Sequence, residues 1–232
     1  CKMKTHALER VTGGVKNLYG CISGLHKAKG HTKYTNADIF ARQLIDLNQL
    51  IKPRFCVMDG IVAMDGNGPT SGDPVKMKVL LLGNDPVAID SVYCHLVHLD
   101  PQMVPTNVHG ETMGLGTWRE ENIRLLTDGG EITMQEAVER FGNPDFNVDR
   151  KKQRGNLWNR FNNGFLRYFQ KKPYIEEDKC KKCGICVEAC PVEGKALQFK
   201  NGRRKPPVYN YHKCIRCFCC QEMCPHKAIQ VK

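Results

Sequence analysis

The chain of 232 residues is long for one domain and short for three, so we expect two domains of unequal size. Hydrophobic residues make up 41% of it, and no apolar run reaches the roughly 18 residues that a membrane-spanning helix requires. The net charge of +11 is uneven, because residues 151–232 hold 19 Lys and Arg against 6 Asp and Glu, while residues 1–150 carry −2. We therefore expect a soluble or peripheral protein whose basic character belongs to its C-terminal third.

The first residues of the chain and its cysteines predict whether sequence precedes Cys1 and which cellular compartment the protein occupies. Residues 1–8 have neither the basic start nor the apolar run of a signal peptide, and residue 1 is Cys. The start is typical of a position inside a domain, so we expect native sequence to precede Cys1. Eight of the thirteen cysteines lie in two runs of one metal-cluster pattern. Such a pattern requires free thiolates, which predicts the reducing cytoplasm.

Residues 1–149 predict an α/β domain, an open sheet with flanking helices that lacks its N-terminal part. The first clear helix is predicted from Thr35 to Ile51, with Thr35 or Asn36 as its cap and Pro53 as its stop. Its predicted apolar face consists of Ile39, Phe40, Leu44, Leu47, Leu50 and Ile51.

The next predicted elements alternate between strand and helix. A short strand over residues 54–60 leads into a Gly-, Asp- and Pro-rich loop from Asp59 to Pro74, which a second strand over residues 75–83 follows. A helix then begins at Pro86, with Asn84 or Asp85 as its cap. Farther on, "ENIRLL" predicts a strand and "TMQEAVERF" a short helix. This order is typical of an α/β domain.

Residues 150–173 form a basic connector with aromatic residues at helical spacing. We interpret it as a helix whose aromatic stripe packs on one of the domains, with a membrane-surface helix as the alternative. The aromatic positions are Trp158, Phe161, Phe165 and Tyr168.

Residues 174–232 contain an internal repeat. The run "DKCKKCGICVEACP" returns 34 residues later as "HKCIRCFCCQEMCP", and each copy has the spacing C-x-x-C-x-x-C-x-x-x-C-P. Three cysteines at i, i+3 and i+6 suit three corners of a 4Fe-4S cluster, whereas mononuclear zinc prefers cysteine pairs separated by longer loops. Short strands at "ALQF" and "AIQV" are predicted to close over two such clusters.

The fourth cysteine of each run serves the cluster of the other run in two-cluster ferredoxins, which assigns the eight ligands. Cys219 falls outside the spacing and is interpreted as a small apolar neighbour, with ligand exchange or redox sensitivity as the alternative. The predicted ligands are Cys180, Cys183, Cys186 and Cys224 for cluster one, and Cys214, Cys217, Cys220 and Cys190 for cluster two.

Both parts of the chain resemble known families. Residues 180–232 resemble the bacterial-type ferredoxins with two 4Fe-4S clusters, which implies a small α+β ferredoxin-like domain that transfers electrons. The first domain resembles the domain of unknown function 362 family, which is often fused to such modules and implies no reaction. The residues that carry this second resemblance are 2–25 (KMKTHALERVTGGVKNLYGCISGL), 58–74 (MDGIVAMDGNGPTSGDP) and 81–101 (LLGNDPVAIDSVYCHLVHLDP).

The first domain offers one candidate anion site around two glycines. Gly13 and Gly14 in "VTGGVKNL" are typical of a helix start whose amides bind phosphate or carboxylate, and Lys4, His6 and Lys16 lie nearby in sequence. The alternative is a glycine turn that serves only the fold.

The predicted loop from Asp59 to Pro74 is a second candidate site. Asp59, Asp65 and Asn67 follow a predicted strand, where α/β proteins usually place ligands, and are candidates for binding a ligand or a divalent metal. The alternative is that Asp and Asn are there as turn residues.

The leading hypothesis is that two 4Fe-4S clusters pass single electrons to a partner, or to a small anionic substrate bound in the α/β domain. It expects a redox partner with an acidic docking surface and disfavours nucleic acid. The alternative is a nucleic-acid or acidic-surface binding module with structural or redox-sensing clusters, which the charge of +13 in residues 151–232 favours. No catalytic residue is identified, so an iron–sulfur oxidoreductase, or a subunit of one, is a hypothesis only.

Overall fold

The computed structural model describes residues 1–23, 36–151, 171–200 and 202–231. These fall into two compact units, Cys1–Asp149 and Arg150–Lys232. The aromatic helix predicted for residues 150–173 lies almost entirely on residues 152–170, outside the described part. Within the described ranges, no helix is both long and apolar enough to cross a membrane.

The first unit mixes strands with helices, as predicted for residues 1–149. Its described strands are β1 (Lys2–His6), β2 (Arg10–Thr12), β3 (Cys56–Asp65), β4 (Asp73–Val75), β5 (Val79–Gly83), β6 (Leu125–Thr127) and β7 (Gly130–Ile132). Its described helices are α1 (Gly14–Asn17), α2 (Ala37–Ile51), α3 (Pro86–Leu96), α4 (Pro105–Thr112) and α5 (Met134–Phe141).

Strand β3 is the centre of the sheet. It pairs in parallel with β1 and antiparallel with β4 and β5, while β2 pairs antiparallel with β1 at the edge. The predicted loop from Asp59 to Pro74 is therefore wrong in its first half, because β3 continues to Asp65 and only residues 66–72 connect it to β4. The Gly- and Asp-rich composition predicted a loop here. In the structure, the hydrogen-bond ladders to β1, β4 and β5 satisfy the backbone groups of these residues.

The predicted strand over residues 75–83 is divided into the end of β4 and all of β5. Lys78 between them has a φ of 57°, a left-handed conformation that interrupts an extended strand. The predicted strand "ENIRLL" likewise contributes only its last two residues to β6, since residues 120–122 form a 3-10 turn.

The two helices with predicted N-terminal caps, α2 and α3, are confirmed. The Asn36 side chain caps α2 by accepting the Asp38 amide at 2.7 Å, and α2 ends at Ile51, two residues before Pro53. Asp85 caps α3, with Pro86 at its first position. The helix predicted at "TMQEAVERF" is present as α5, with a capping box between Thr133 and Glu136.

The predicted apolar face of α2 is wrong in part. Phe40 and Leu44 are buried, but Leu50 is 80% exposed. The buried stripe passes instead through Ala41 and Ile45, because α2 packs with α4 and with the turn that follows α1. Ile39 and Ile51 are exposed as well.

The core of the first unit lies between the sheet and α3. Met3 and Met58 from the sheet pack with Ile89, Val92 and Tyr93 from α3. A second cluster joins α1 and α2 to Val87 at the start of α3. Helix α3 is therefore the element on which both clusters meet.

The second unit is built from the two copies of the repeat. Strand β8 at the start of the first copy pairs with β11 at the end of the second, and β10 pairs with β9, so the copies interlock. The strands predicted at "ALQF" and "AIQV" are present as β9 and β11. The described elements are β8 (Pro173–Ile175), α6 (Ile185–Glu188), β9 (Leu197–Gln198), β10 (Val208–Tyr209), α7 (Cys219–Glu222) and β11 (Ile229–Val231).

Candidate metal centre

The loop before each short helix of the second unit turns at the same two positions in both copies. Lys182 and Gly184 have positive φ angles of 56° and 89°, and their counterparts Arg216 and Phe218 have 57° and 59°. These left-handed residues alternate with cysteines and curl the backbone, so that the first three cysteines of each run point into a common space. Phe218 adopts this conformation without the freedom of a glycine, which indicates that burial of its ring outweighs the backbone strain.

The cysteines surround two separate cavities, four to each. The first cavity is also lined by Lys181, Lys182 and His226, and the second by Tyr209 and Phe218. In both cavities the fourth cysteine comes from the other copy of the repeat. We name them the first cysteine set (Cys180, Cys183, Cys186 and Cys224) and the second cysteine set (Cys190, Cys214, Cys217 and Cys220).

The two sets differ in exposure. Only Cys186 is buried in the first set, whereas only Cys217 is not buried in the second. Burial raises the pKa of Cys186 to about 11 and that of Cys220 to about 12. These thiols therefore ionise at neutral pH only when a cationic metal centre compensates the charge.

Hydrogen bonds reach the sulfur atoms of both sets. The Ala228 amide donates to Cys224 Sγ at 3.4 Å, and the Ala196 amide donates to Cys190 Sγ at 3.3 Å. The second set has an additional partner, since Tyr209 Oη lies 3.2 Å from Cys220 Sγ. Tyr209 was missed by the sequence analysis, although an alignment of the two copies would have shown it in the place of Ile175.

Cys219 lies beside the second set without lining its cavity. It is buried in α7, and a hydrogen bond with Cys217 together with burial raises the pKa of its thiol. This placement matches the interpretation of Cys219 as a neighbour rather than a ligand.

The donor chemistry fits an iron–sulfur cluster in each cavity. Within the described ranges, no three His, Cys, Asp or Glu side chains converge closely enough for a single metal ion. The four cysteines of each set instead enclose a space, which is the arrangement that a cluster with iron at each corner requires.

The candidate anion site at Gly13 and Gly14 contains a carboxylate of the chain itself. The Gly14 amide donates to Asp90 Oδ1 at 2.5 Å and the Val15 amide to Oδ2 at 3.1 Å. A Cβ on Gly13 would lie 2.0 Å from Asp90 Oδ1, which explains the glycine. Burial raises the pKa of Asp90 to about 7, against the lowering effect of these two amides. The amides that an external anion would need are therefore already bonded.

Asp59 lies within β3, whereas Asp65 is its last residue, and each carboxylate has its own partner. Asp59 pairs with Lys2 at 2.7 Å, and Asp65 Oδ2 accepts the Asn147 amide at 2.8 Å. The two carboxylates therefore do not meet at a common metal ion.

Of the other predicted ligand-binding residues, Lys4 lies beside the loop 66–72 that holds Asn67, and its Nζ donates to the Pro69 carbonyl at 3.2 Å. His6 is buried, and its Nδ1 accepts the amides of Leu8 and Glu9. These contacts place Lys4, Asp65 and Asn67 near the carboxyl ends of β1 and β3, while His6 shapes the turn into β2.

Glu9 is a buried acid that the sequence analysis missed. Its side chain is fully buried, and neither carboxylate oxygen has a hydrogen-bond partner among the residues that the structure describes. Burial raises its pKa to about 8, and Lys16 lowers it only in part. The carboxyl group is therefore neutral over most of the physiological range.

Comparison with known proteins agrees with both units. Residues 1–95 match the family model described as "Domain of unknown function (DUF362)", and residues 172–225 match "4Fe-4S dicluster domain". The chain thus joins a region that matches the DUF362 family model to a region that matches the 4Fe-4S dicluster model. This match confirms the resemblance seen in the sequence and supports 4Fe-4S clusters as cofactors with an electron-transfer role.

A curated relative extends the comparison. "Thylakoid-associated protein sll1697" of Synechocystis sp. is 39% identical to this chain over 134 residues. The match covers 57% of this chain and 42% of the relative, so the chain spans less than half of that protein's length.

Proposed function

We propose that the second unit transfers single electrons through two 4Fe-4S clusters, one held by each cysteine set. The observation that carries the proposal is the convergence of the eight cysteines into two sets, each completed by the other copy of the repeat. A bound 4Fe-4S cluster supplies a centre that takes up and releases one electron. The chain itself supplies the thiolates, directs the Ala196 and Ala228 amides at sulfur, and encloses the second set.

We propose further that an acidic redox partner docks over the first cysteine set. Lys181 and His226 at its rim are exposed, and Lys182 is partly exposed, whereas Phe218 and Pro173 cover the second set. Two oxidised clusters would contribute about −4, which leaves the region of +13 still basic. An acidic partner would thus be steered toward the more exposed set.

We propose the carboxyl ends of β1 and β3 as the position of a small anionic substrate of an iron–sulfur oxidoreductase. Lys4 and the loop 66–72 support this position, because parallel strands present ligand-binding loops at that end. A Lys4→Ala variant that binds small carboxylates and phosphates as the parent does would argue against it.

Two cysteine variants test the electron-transfer proposal. Anaerobically reconstituted protein should bind about eight iron atoms and show two reversible one-electron reductions. Cys224→Ser should disrupt the cluster of residues 180–186, while the matched control Cys219→Ser should keep the full iron content. Equal iron loss in both variants, or clusters that decompose on reduction, would contradict the proposal.

The alternative function is a module that binds nucleic acid or an acidic surface. The net charge of +13 in residues 151–232 favours it, and the same charge also suits docking to an acidic partner. Salt-dependent binding to duplex DNA would support this alternative, and no retention on DNA at low salt would remove it.

We propose the cytoplasm as the compartment of this protein. The relative from Synechocystis sp. is described as thylakoid-associated, so fractionation of native cells is the appropriate check. Recovery chiefly with the membrane fraction would contradict a cytoplasmic location.

A further inference from the structure

The two copies of the repeat differ beside otherwise equivalent cysteines. Ile175 in β8 and Tyr209 in β10 each lie five residues before the first cysteine of their copy. Both pack into one apolar cluster with Cys186 and Cys220, and each lines the cavity of one cysteine set. The second set therefore has a phenol where the first has an aliphatic side chain.

The Tyr209 hydroxyl is placed to donate to a cysteine sulfur. Its oxygen lies 3.2 Å from Cys220 Sγ. A cysteine that ligates a metal is a thiolate without a proton, so in the loaded protein the hydroxyl is the donor. A phenol ordinarily ionises only near pH 10, so at neutral pH the hydroxyl keeps that proton.

This hydrogen bond counteracts the effect of burial on the reduction of the cluster. Reduction adds one negative charge, which is less favourable at the buried second set than at the more exposed first set. A donor aimed at the sulfur becomes more favourable as the sulfur gains electron density. Backbone amides donate to sulfur atoms in both sets, among them those of Ala228 and Ala196, and Tyr209 adds a phenol donor at the second set that Ile175 does not offer at the first.

We propose that Tyr209 is a tuning residue, which raises the reduction potential of the cluster held by the second cysteine set above the value that its burial alone would give. This inference rests on the proposed function. In the test, dithionite supplies one electron to each cluster, no proton is taken up, and the hydroxyl hydrogen stays on Tyr209.

The test compares Tyr209→Phe with Tyr211→Phe in redox titrations of the loaded full chain, followed by electron paramagnetic resonance. Tyr211 is a matched control, because its ring stacks on Tyr209 while its hydroxyl donates to the Pro173 carbonyl at 2.9 Å. Tyr209→Phe should lower one of the two one-electron steps, by up to about 59 mV for a tenfold change in the equilibrium, and leave the other in place. Tyr211→Phe should move neither.

A second replacement guards against misfolding of the first. Fluorotyrosine at position 209 keeps the shape of the ring, and its more acidic hydroxyl should raise the step that Tyr209→Phe lowers. Unchanged steps in both proteins would overturn the inference while leaving electron transfer intact. The absence of any reversible step in the parent protein would overturn the proposed function, and this inference with it.

Discussion

Glu9 provides a test of the electrostatics inside the first unit. Its carboxyl group is fully buried, and neither oxygen has a hydrogen-bond partner in the described part of the chain, so the folded protein favours the neutral acid. Replacement by Gln keeps the shape of the side chain and removes its ability to ionise. The difference in stability between Glu9→Gln and the parent should therefore depend on pH.

The magnitude follows from the pKa of Glu9, which burial raises from 4.5 to about 8. Below pH 4.5 the acid is protonated in both states, and ionisation costs no stability. As the pH rises from 4.5 to 8, the unfolded chain ionises while the folded chain retains the proton, so the free energy of unfolding falls by about 1.4 kcal/mol per pH unit. Between pH 5 and pH 8 the parent should lose roughly 3 kcal/mol that Glu9→Gln keeps.

The assay is urea unfolding of the full chain between pH 5 and pH 8, in a Trp158→Phe background. Trp118, which packs against the core cluster of α1 and α2, then reports on the first unit. Asp90, whose pKa burial raises to about 7, contributes equally to both proteins and cancels in the difference. Glu121→Gln, which removes an exposed carboxylate, is the matched control variant. A difference between Glu9→Gln and the parent that stays constant from pH 5 to pH 8 would refute the reasoning.

Three further outcomes are expected. Gly13→Ala should destabilise the first unit by about 2 kcal/mol or more in urea unfolding, because its Cβ would overlap Asp90, whereas Gly20→Ala, which has open space, should stay within about 0.5 kcal/mol. Thr133→Ala should lower the free energy of unfolding by about 1 kcal/mol through loss of the α5 cap, and no change would contradict that cap. Lys181→Glu should slow stopped-flow reduction by an acidic protein donor but not by dithionite, and equal slowing would argue against docking there.

Much of the second unit could be predicted from the sequence, because the cysteines of each run lie close together along the chain. Three cysteines within seven residues can reach one cluster whatever the rest of the chain does, and the 34-residue repeat supplies the partner for the fourth. The caps of α2 and α3 were equally local, since Asn36 and Asp85 accept amides two residues ahead. In the first unit the same reasoning failed for β3, because its length depends on strands that pair with it from distant parts of the chain.

The sequence by itself predicted that the first three cysteines of each run act together and that the first unit is mixed α/β, because both follow from spacing and periodicity along the chain. Only the tertiary structure decided which polar groups meet. It directs Asp90 at the Gly14 amide, gives Asp59 and Asp65 separate partners, and buries Glu9 with no hydrogen-bond partner among the described residues. It also brings the Tyr209 hydroxyl to Cys220, eleven residues later in the chain. Such contacts depend on how elements pack in three dimensions, and residue spacing carries little information about that packing.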